Sequence, residues 1–134
     1  MTEATQVNGA IRSHLGPLGL FIRMEHAFDV GVADWYYQLR GAMGWIEAKL
    51  IVKSGRRPDH FTREQLMWGE AIVAHGGRWH LLGLRDPQTW VLYDAYQARA
   101  WFDNKENKPL VSYNGSFPTR LIALALAPRR TACP

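Results

Sequence analysis

The chain has 134 residues, of which 47% are hydrophobic and 21% charged. These proportions are ordinary for one globular domain, which we expect to span residues 1–134. No stretch approaches the ~18 consecutive apolar residues of a membrane span, residues 1–6 lack a secretory signal, and the single cysteine, Cys133, excludes a disulfide framework and a cysteine-based zinc site. The single cysteine fits a reducing compartment, so we expect a cytoplasmic location. A net charge of +4, with a pI near 9.5, favours polyanionic partners.

The first part of the chain predicts one helix followed by three strands. Residues 2–15 carry apolar side chains at helical spacing, and Gly16-Pro17 ends this helix. Hydrophobic patterning then predicts strands at 20–27, 31–37 and 45–50. A tight turn within residues 40–44 joins the second strand to the third.

A second helix follows a loop at residues 54–60. Thr62 is a suitable N-cap, and Gln65, three residues later, completes the pattern of a capping box. The helix is predicted to stop at the glycines that follow His75.

The remaining elements are two strands, at 78–84 and 89–93, and a short helix that Asp94 can cap. The apolar run at 121–126 fits a helix or a strand equally well. A helix between the third and fourth strands permits a right-handed crossover, so we predict an α/β fold with a mixed sheet and helices on its faces. We expect the core to cover about residues 20–102, followed by a C-terminal extension at 103–134.

The third strand carries charged groups on one face. Successive side chains in a strand alternate between faces, so Trp45, Glu47 and Lys49 share one face, while Ile46, Ala48 and Leu50 form an apolar face that can pack on a core. Asp34 comes from the neighbouring strand of the same hairpin. Two carboxylates that meet suit a hard divalent cation such as Mg²⁺. Since neither Glu47 nor Lys49 belongs to the apolar face, we expect their replacement to leave folding nearly intact.

Three segments together resemble the PD-(D/E)XK nuclease superfamily: Gly31 to Asp34, Trp45 to Lys49, and Phe61 to Gln65 at the start of a helix. Within the superfamily the chain is most similar to the small phage and VRR-NUC or Holliday-junction-resolvase-like branch. The similarity covers roughly residues 20–85. Ala33 stands where the family has a proline, which makes no chemistry.

The resemblance implies a restriction-endonuclease-like fold and a Mg²⁺- or Mn²⁺-dependent DNA endonuclease. Asp34, Glu47 and the backbone carbonyl of Ala48 would hold the cation, and Lys49 would position the attacking water. The resolvase-like branch implies branched DNA as substrate and a homodimer that cuts two strands. It also suggests a phage origin and the cytoplasm of a bacterial host.

Several further residues are candidates with two interpretations each. A third carboxylate could come from Glu25 or from Glu3, although each could be a solvated acid. Gln65 resembles a glutamine that lies near the site in this branch, a role compatible with helix capping. Four basic residues after the motif could contact DNA or belong to a solvated loop: Lys53, Arg56, Arg57 and Arg63.

The histidines and the tryptophans are more simply structural. His26, His60 and His80 could touch phosphate or metal, but they lack zinc-site spacing. The tryptophans of the predicted elements are expected to be mostly core, although stacking on unpaired bases also fits: Trp35, Trp45, Trp68, Trp79 and Trp90. Functional alternatives are a nicking or flap nuclease of phage DNA processing, a catalytically silent nucleic-acid-binding module, and an unrelated α/β protein with a chance motif.

Overall fold

The computed structural model describes residues 4–24, 31–51, 61–85 and 88–128. Helix α1 (Thr5–Ala10) continues through a π-helical turn and a 3₁₀ turn to Leu18, and helices α2, α3 and α4 follow later in the chain. The helices are α2 (Arg63–Ala74), α3 (Ala95–Phe102) and α4 (Thr119–Leu126), and the strands are β1 (Leu20–Arg23), β2 (Trp35–Leu39), β3 (Ala42–Ile51), β4 (Trp79–Arg85), β5 (Thr89–Asp94) and β6 (Val111–Asn114).

All six strands form one sheet in chain order, β1-β2-β3-β4-β5-β6. Strands β3 and β4 are parallel, and every other neighbouring pair is antiparallel. The parallel pair is joined through α2, as the sequence predicts. The α/β fold with a mixed sheet is therefore confirmed.

The β2–β3 hairpin is tighter than the sequence indicates. Leu39 pairs with Ala42, so only Arg40 and Gly41 form the turn, with φ angles of 50° and 83°. Two consecutive positive φ angles are what a two-residue turn of type I′ requires. Strand β3 is consequently ten residues long, and its whole length is held in one register.

Apolar side chains cover both faces of the sheet. On one face α1, the turn that follows it and α4 bury residues such as Ile11, Leu15 and Ile122 against the strands. On the other face α2 and α3 cover a second cluster that includes Trp79 and Tyr93. The helix that joins the parallel strands β3 and β4 must lie on one face of the sheet, so α2 adds a second layer to the one that α1 and α4 form on the other face.

Both predicted helix caps are present. Thr62 and Gln65 form a reciprocal capping box, with the Thr62 Oγ1 accepting from the Gln65 N–H at 3.2 Å and the Gln65 Oε1 accepting from the Thr62 N–H at 2.9 Å. Asp94 caps α3 by accepting from the Gln97 N–H at 2.8 Å. These caps start α2 and α3 at defined residues.

Several predicted boundaries are wrong. Strand β2 begins at Trp35 rather than Gly31, and β1 ends at Arg23, short of the predicted residue 27. The ambiguous run at 121–126 lies in a helix, and β6 was missed because it has only four residues, three of them exposed. Since β6 joins the sheet and α4 joins the core, the core extends beyond residue 102.

In the described part of the chain, no helix combines the length and the apolar character that crossing a membrane requires.

Two glycine-to-alanine changes, one in α2 and one in α1 for comparison, test the packing of α2 on the sheet. A Cβ at Gly69 would fall on the indole ring of Trp79, which is buried, so Gly69→Ala should destabilise the fold by about 1–3 kcal/mol through overpacking. A Cβ at Gly9, on the exposed side of α1, meets nothing within 4 Å, so Gly9→Ala should stabilise by about 0.5–1 kcal/mol through helix propensity. Urea unfolding measures both changes. Equal stability of Gly69→Ala and wild type would contradict this packing.

Candidate metal and nuclease site

Strand β3 extends past the start of β2, and this offset positions the first candidate residue. Trp35, the first residue of β2, pairs with Ile46, so the later residues of β3 have no β2 partner. Asp34 lies just before β2, and its Oδ2 accepts a hydrogen bond from the Ala48 backbone N–H at 2.9 Å. The Asp34 carboxylate therefore takes the place of a backbone carbonyl of a neighbouring strand, which would otherwise accept the hydrogen bond from the Ala48 N–H.

The same bond orients the backbone of Ala48. In a β-strand the N–H and C=O of one residue point to the same side. The Ala48 carbonyl therefore points toward the side from which Asp34 approaches. The two oxygen groups expected to share a cation lie on one side of β3.

Glu47 and Lys49 point to the face covered by α2 and α3, as their strand neighbour Leu81 does. The Glu47 residue is 0% exposed and Lys49 5% exposed. The Lys49 Nζ lies 3.0 Å from the Glu47 Oε2 as an ion pair. That contact serves the Glu47 Oε2, whereas the Glu47 Oε1 has no hydrogen-bond partner in the described structure.

This burial corrects the expectation that Glu47 and Lys49 stand apart from the packed interior. The sequence showed one apolar face of β3, but the crossover helix places a second packed layer over the charged face. Removing one member of a buried ion pair leaves the other charge uncompensated. Replacement of Lys49 is therefore expected to reduce stability.

The electrostatic state of Glu47 reflects its surroundings. Burial raises the pKa of its carboxyl group well above the usual value, and the nearby Asp34 charge raises it further, while Lys49 opposes both effects. A buried carboxyl group with a raised pKa, beside a second carboxylate, gains from any cation that binds between them. The residues therefore fit a divalent cation, with two carboxylates and one backbone carbonyl as ligands.

The described residues include no cluster of three or more His, Cys, Asp or Glu side chains that could hold a metal ion. Both candidates for a third carboxylate, Glu3 and Glu25, lie outside the described residues. So do five of the other predicted contacts: His26, Lys53, Arg56, Arg57 and His60.

Arg23 belongs to the site and was missed from the sequence. Its Nη1 lies 3.4 Å from the Asp34 Oδ1 and also donates to the Asn8 Oδ1 at 3.2 Å. The Asn8 side chain in turn accepts from the Trp35 Nε1 at 2.8 Å. The proximity of Arg23 to Asp34 comes from the pairing of β1 with β2, which aligns Arg23 with Trp35. This register is set by tertiary structure, so the sequence alone did not reveal the contact.

The start of α2 lies close to the site. A Cβ at Gly31 would lie 2.7 Å from the Glu64 carbonyl oxygen, and Gly31 has a φ of +90°, so the chain before Asp34 packs directly on the helix. Gln65 is engaged in the capping box, and its role in the site remains a prediction. Arg63 is exposed in the first turn of α2.

His80 is not part of this site. It pairs with Ile46 on the face opposite Glu47, and it is 6% exposed. Burial lowers the pKa of His80 to about 4, with a smaller contribution from Arg78. The structural interpretation of this histidine therefore accounts for its position.

A change at Glu47 tests the electrostatics of the site. A carboxyl group with a raised pKa in the folded state binds its proton more tightly there than in the unfolded chain, so its contribution to stability falls as pH rises through the folded-state pKa. Glu47→Gln removes this loss. Because Glu47→Gln also removes the partner charge of the buried Lys49, the expected result is a trend with pH: in EDTA the melting temperature of the variant should rise relative to that of wild type as the pH increases from 4 to 8.

Thermal melts of both proteins from pH 4 to 8 measure this difference. Addition of Mn²⁺ should raise the melting temperature of wild type and leave Glu47→Gln almost unchanged. A pH-independent difference between the two proteins would contradict the raised pKa.

Comparison with known proteins identifies the fold. No family model matches the chain, and no curated protein matches it. The structure is similar to that of Hjc, a Holliday junction resolvase from Archaeoglobus fulgidus, with a TM-score of 0.54, 13% sequence identity, and coverage of 84% of this chain and 88% of that one. At this identity the similarity shows the fold alone: a mixed six-stranded sheet flanked by helices, of the restriction-endonuclease-like type.

Proposed function

We propose that the chain is a metal-dependent endonuclease that hydrolyses phosphodiester bonds in branched DNA. The observation that supports this proposal is the constellation of Asp34, Glu47 and Lys49 on β3 and its edge, in which the buried Glu47 pairs with Lys49 through one oxygen while its Oε1 has no hydrogen-bond partner among the described residues. A buried carboxylate oxygen without a hydrogen-bond donor is costly in a folded protein. A divalent cation, Mg²⁺ or Mn²⁺, is the compensating partner that this set of oxygen ligands would hold.

The proposed mechanism assigns a role to each residue. Asp34, Glu47 and the Ala48 carbonyl would hold the cation, which when bound supplies Lewis-acid polarisation of the scissile phosphate and a water of lowered pKa. Lys49, whose Nζ is 3.0 Å from Glu47, would orient the water and stabilise negative charge that develops at phosphorus. Arg23 would exchange Asp34 for a substrate phosphate, since it is 38% exposed.

The fold and the net charge together support the proposed substrate class. Hjc, which shares the fold, is a Holliday junction resolvase, and a net charge of +4 suits a polyanion. Cutting two strands of a junction would require two active sites, so we propose that the chain acts as a homodimer with two-fold symmetry. A nicking or flap nuclease would use the same chemistry on one strand, and Lys53, Arg56, Arg57 and Arg63 would contact the backbone in either case.

A catalytically silent DNA-binding module is the second candidate. It is favoured by one observation, the complete burial of Glu47 beneath α2 and α3, which restricts access of a phosphate to that side chain. Of the two carboxylates, Asp34 alone is accessible to solvent, with its side chain 20% exposed. A silent module would bind DNA with strong salt dependence and without metal-dependent turnover.

Cleavage assays decide between these two functions. Labelled four-way junction, matched linear duplex and single strand are incubated with wild-type protein in Mg²⁺, Mn²⁺ or EDTA. Lys49→Met keeps the volume of the buried side chain while removing its charge, and it should lower the cleavage rate by at least about 100-fold, since charge stabilisation in a transition state is worth that order.

The matched control is Lys105→Met, which removes an exposed lysine from the loop after α3 and should cut at the wild-type rate. Circular dichroism checks that Lys49→Met is folded. Binding of the junction without cleavage in any metal would reject the nuclease in favour of the silent module.

Asp34 tests the metal site separately from DNA binding. Asp34→Asn keeps an oxygen that can accept from the Ala48 N–H but removes the charge, so Mn²⁺ affinity measured by calorimetry should fall about tenfold or more while junction affinity in EDTA changes little. Equal Mn²⁺ affinity of variant and wild type would show that the cation binds elsewhere.

A further inference from the structure

A cavity of about 460 Å³ lies between the second half of α2 and the β2–β3 hairpin. Its walls include the rings of Tyr36, Trp45 and Trp68 and the side chain of Ile72, and we call it the aromatic groove. Met43 also lines it and is 58% exposed. The volume is within the range of sites that bind small ligands, and the nuclease chemistry described above does not use it.

The tryptophan rings of the aromatic groove pack against the core cluster beneath α2 but are only partly buried. Trp45 makes edge-on contacts with Tyr36 at 5.1 Å and with Trp68 at 4.9 Å between ring centroids, with interplanar angles of 60° and 85°. All three rings line the groove and are partly exposed, so ring surface remains on which a flat ligand can stack. Trp45 and Trp68 are half-buried, whereas Trp79 is 1% exposed.

The charges around the aromatic groove suit an anionic polymer. Arg78 and His75 line it, and no carboxylate does among the residues that the structure describes. The Arg78 guanidinium donates to the carbonyls of Leu126 and Ala125 at the end of α4, at 3.0 and 3.2 Å. That positive charge is therefore held in place beside the groove.

The aromatic groove adjoins the candidate site. Trp45 precedes Glu47 by two residues on the same face of β3, and Tyr36 follows Asp34 by two residues in β2. Two residues of strand span about 7 Å, which corresponds to one or two nucleotides because stacked bases are about 3.4 Å apart. A DNA strand at the carboxylates would carry its next base past the groove.

We propose that the aromatic groove binds one unpaired nucleobase of the DNA strand, next to the phosphate that is cut. This inference rests on the proposed nuclease function and specifies its substrate: the DNA must present a base that can leave the stack, as at a branch point. Stacking of a base on tryptophan tolerates any sequence. The aromatic groove would thus select structure rather than sequence.

The test couples a protein change to a DNA change. Junction binding is measured by fluorescence anisotropy in EDTA, where cleavage is not required, for wild type and Trp68→Leu. The junctions are intact or carry a single abasic nucleotide, placed in turn at each position beside the branch. Trp68→Leu should bind the intact junction roughly tenfold more weakly than wild type does. At one abasic position, wild type should lose the same roughly tenfold in affinity, so that wild type and Trp68→Leu bind that junction equally well.

Two further variants control the comparison. Tyr113→Leu removes a partly exposed ring from β6, at the opposite edge of the sheet, and should bind every junction as wild type does. Trp68→Phe keeps a ring and should retain most of the affinity, which supplies a folded variant if Trp68→Leu melts early.

The outcomes separate this inference from the proposed function. Equal affinity of wild type and Trp68→Leu for the intact junction, or an equal loss on every abasic junction, would overturn the base-binding role while metal-dependent cleavage by wild type still upheld the nuclease. If Trp68→Leu and wild type bind alike at one abasic position but wild type cleaves no DNA, the base-binding role of the groove would be upheld and the nuclease rejected. A change of molar mass by light scattering in Trp68→Leu, with DNA affinity unchanged, would identify the groove as a protein interface and overturn the inference.

Discussion

The hydrogen bond from the Ala48 N–H to the Asp34 carboxylate is the interaction on which the rest of the site depends. Strand β3 extends beyond its pairing with β2. Without Asp34, the Ala48 N–H would be unpaired beside a packed core, which costs about 1–3 kcal/mol. Asp34 satisfies that group with its side chain at 2.9 Å. The same contact brings a carboxylate to the edge of β3, so one bond serves both the sheet and the chemistry that we propose.

Burial sets the energetic character of the site. Glu47 and Lys49 lie beneath the helical layer that the parallel β3–β4 pair requires, where their mutual attraction must offset the loss of hydration of both charges. This compensation is incomplete, because the Glu47 Oε1 has no hydrogen-bond donor among the described residues and Asp34 repels the same carboxylate. The fold therefore holds a charge arrangement that a bound cation would complete.

The β2–β3 hairpin links the two sites that we propose. Asp34 and Tyr36 come from one side of it, and Trp45 and Glu47 from the other, within three residues of the pairing between Trp35 and Ile46. A slip of one residue would move the side chains of β3 to the opposite face. The two-residue turn at Arg40 and Gly41 fixes that register, and so it fixes the position of the aromatic groove relative to the carboxylates.

The sequence by itself determined the class of fold, the helix that joins β3 to β4 and both helix caps, and it proposed the set Asp34, Glu47 and Lys49, whose role stays a prediction. These follow from local periodicity, capping chemistry and a short motif, each of which is written in neighbouring residues. Only the tertiary structure decided that Glu47 and Lys49 are buried, that Arg23 contacts Asp34, and that β6 and α4 complete the sheet and the core. Burial, the meeting of β1 with β2, and the pairing of a four-residue edge strand depend on contacts between distant segments, which alternation of side chains along one strand does not specify.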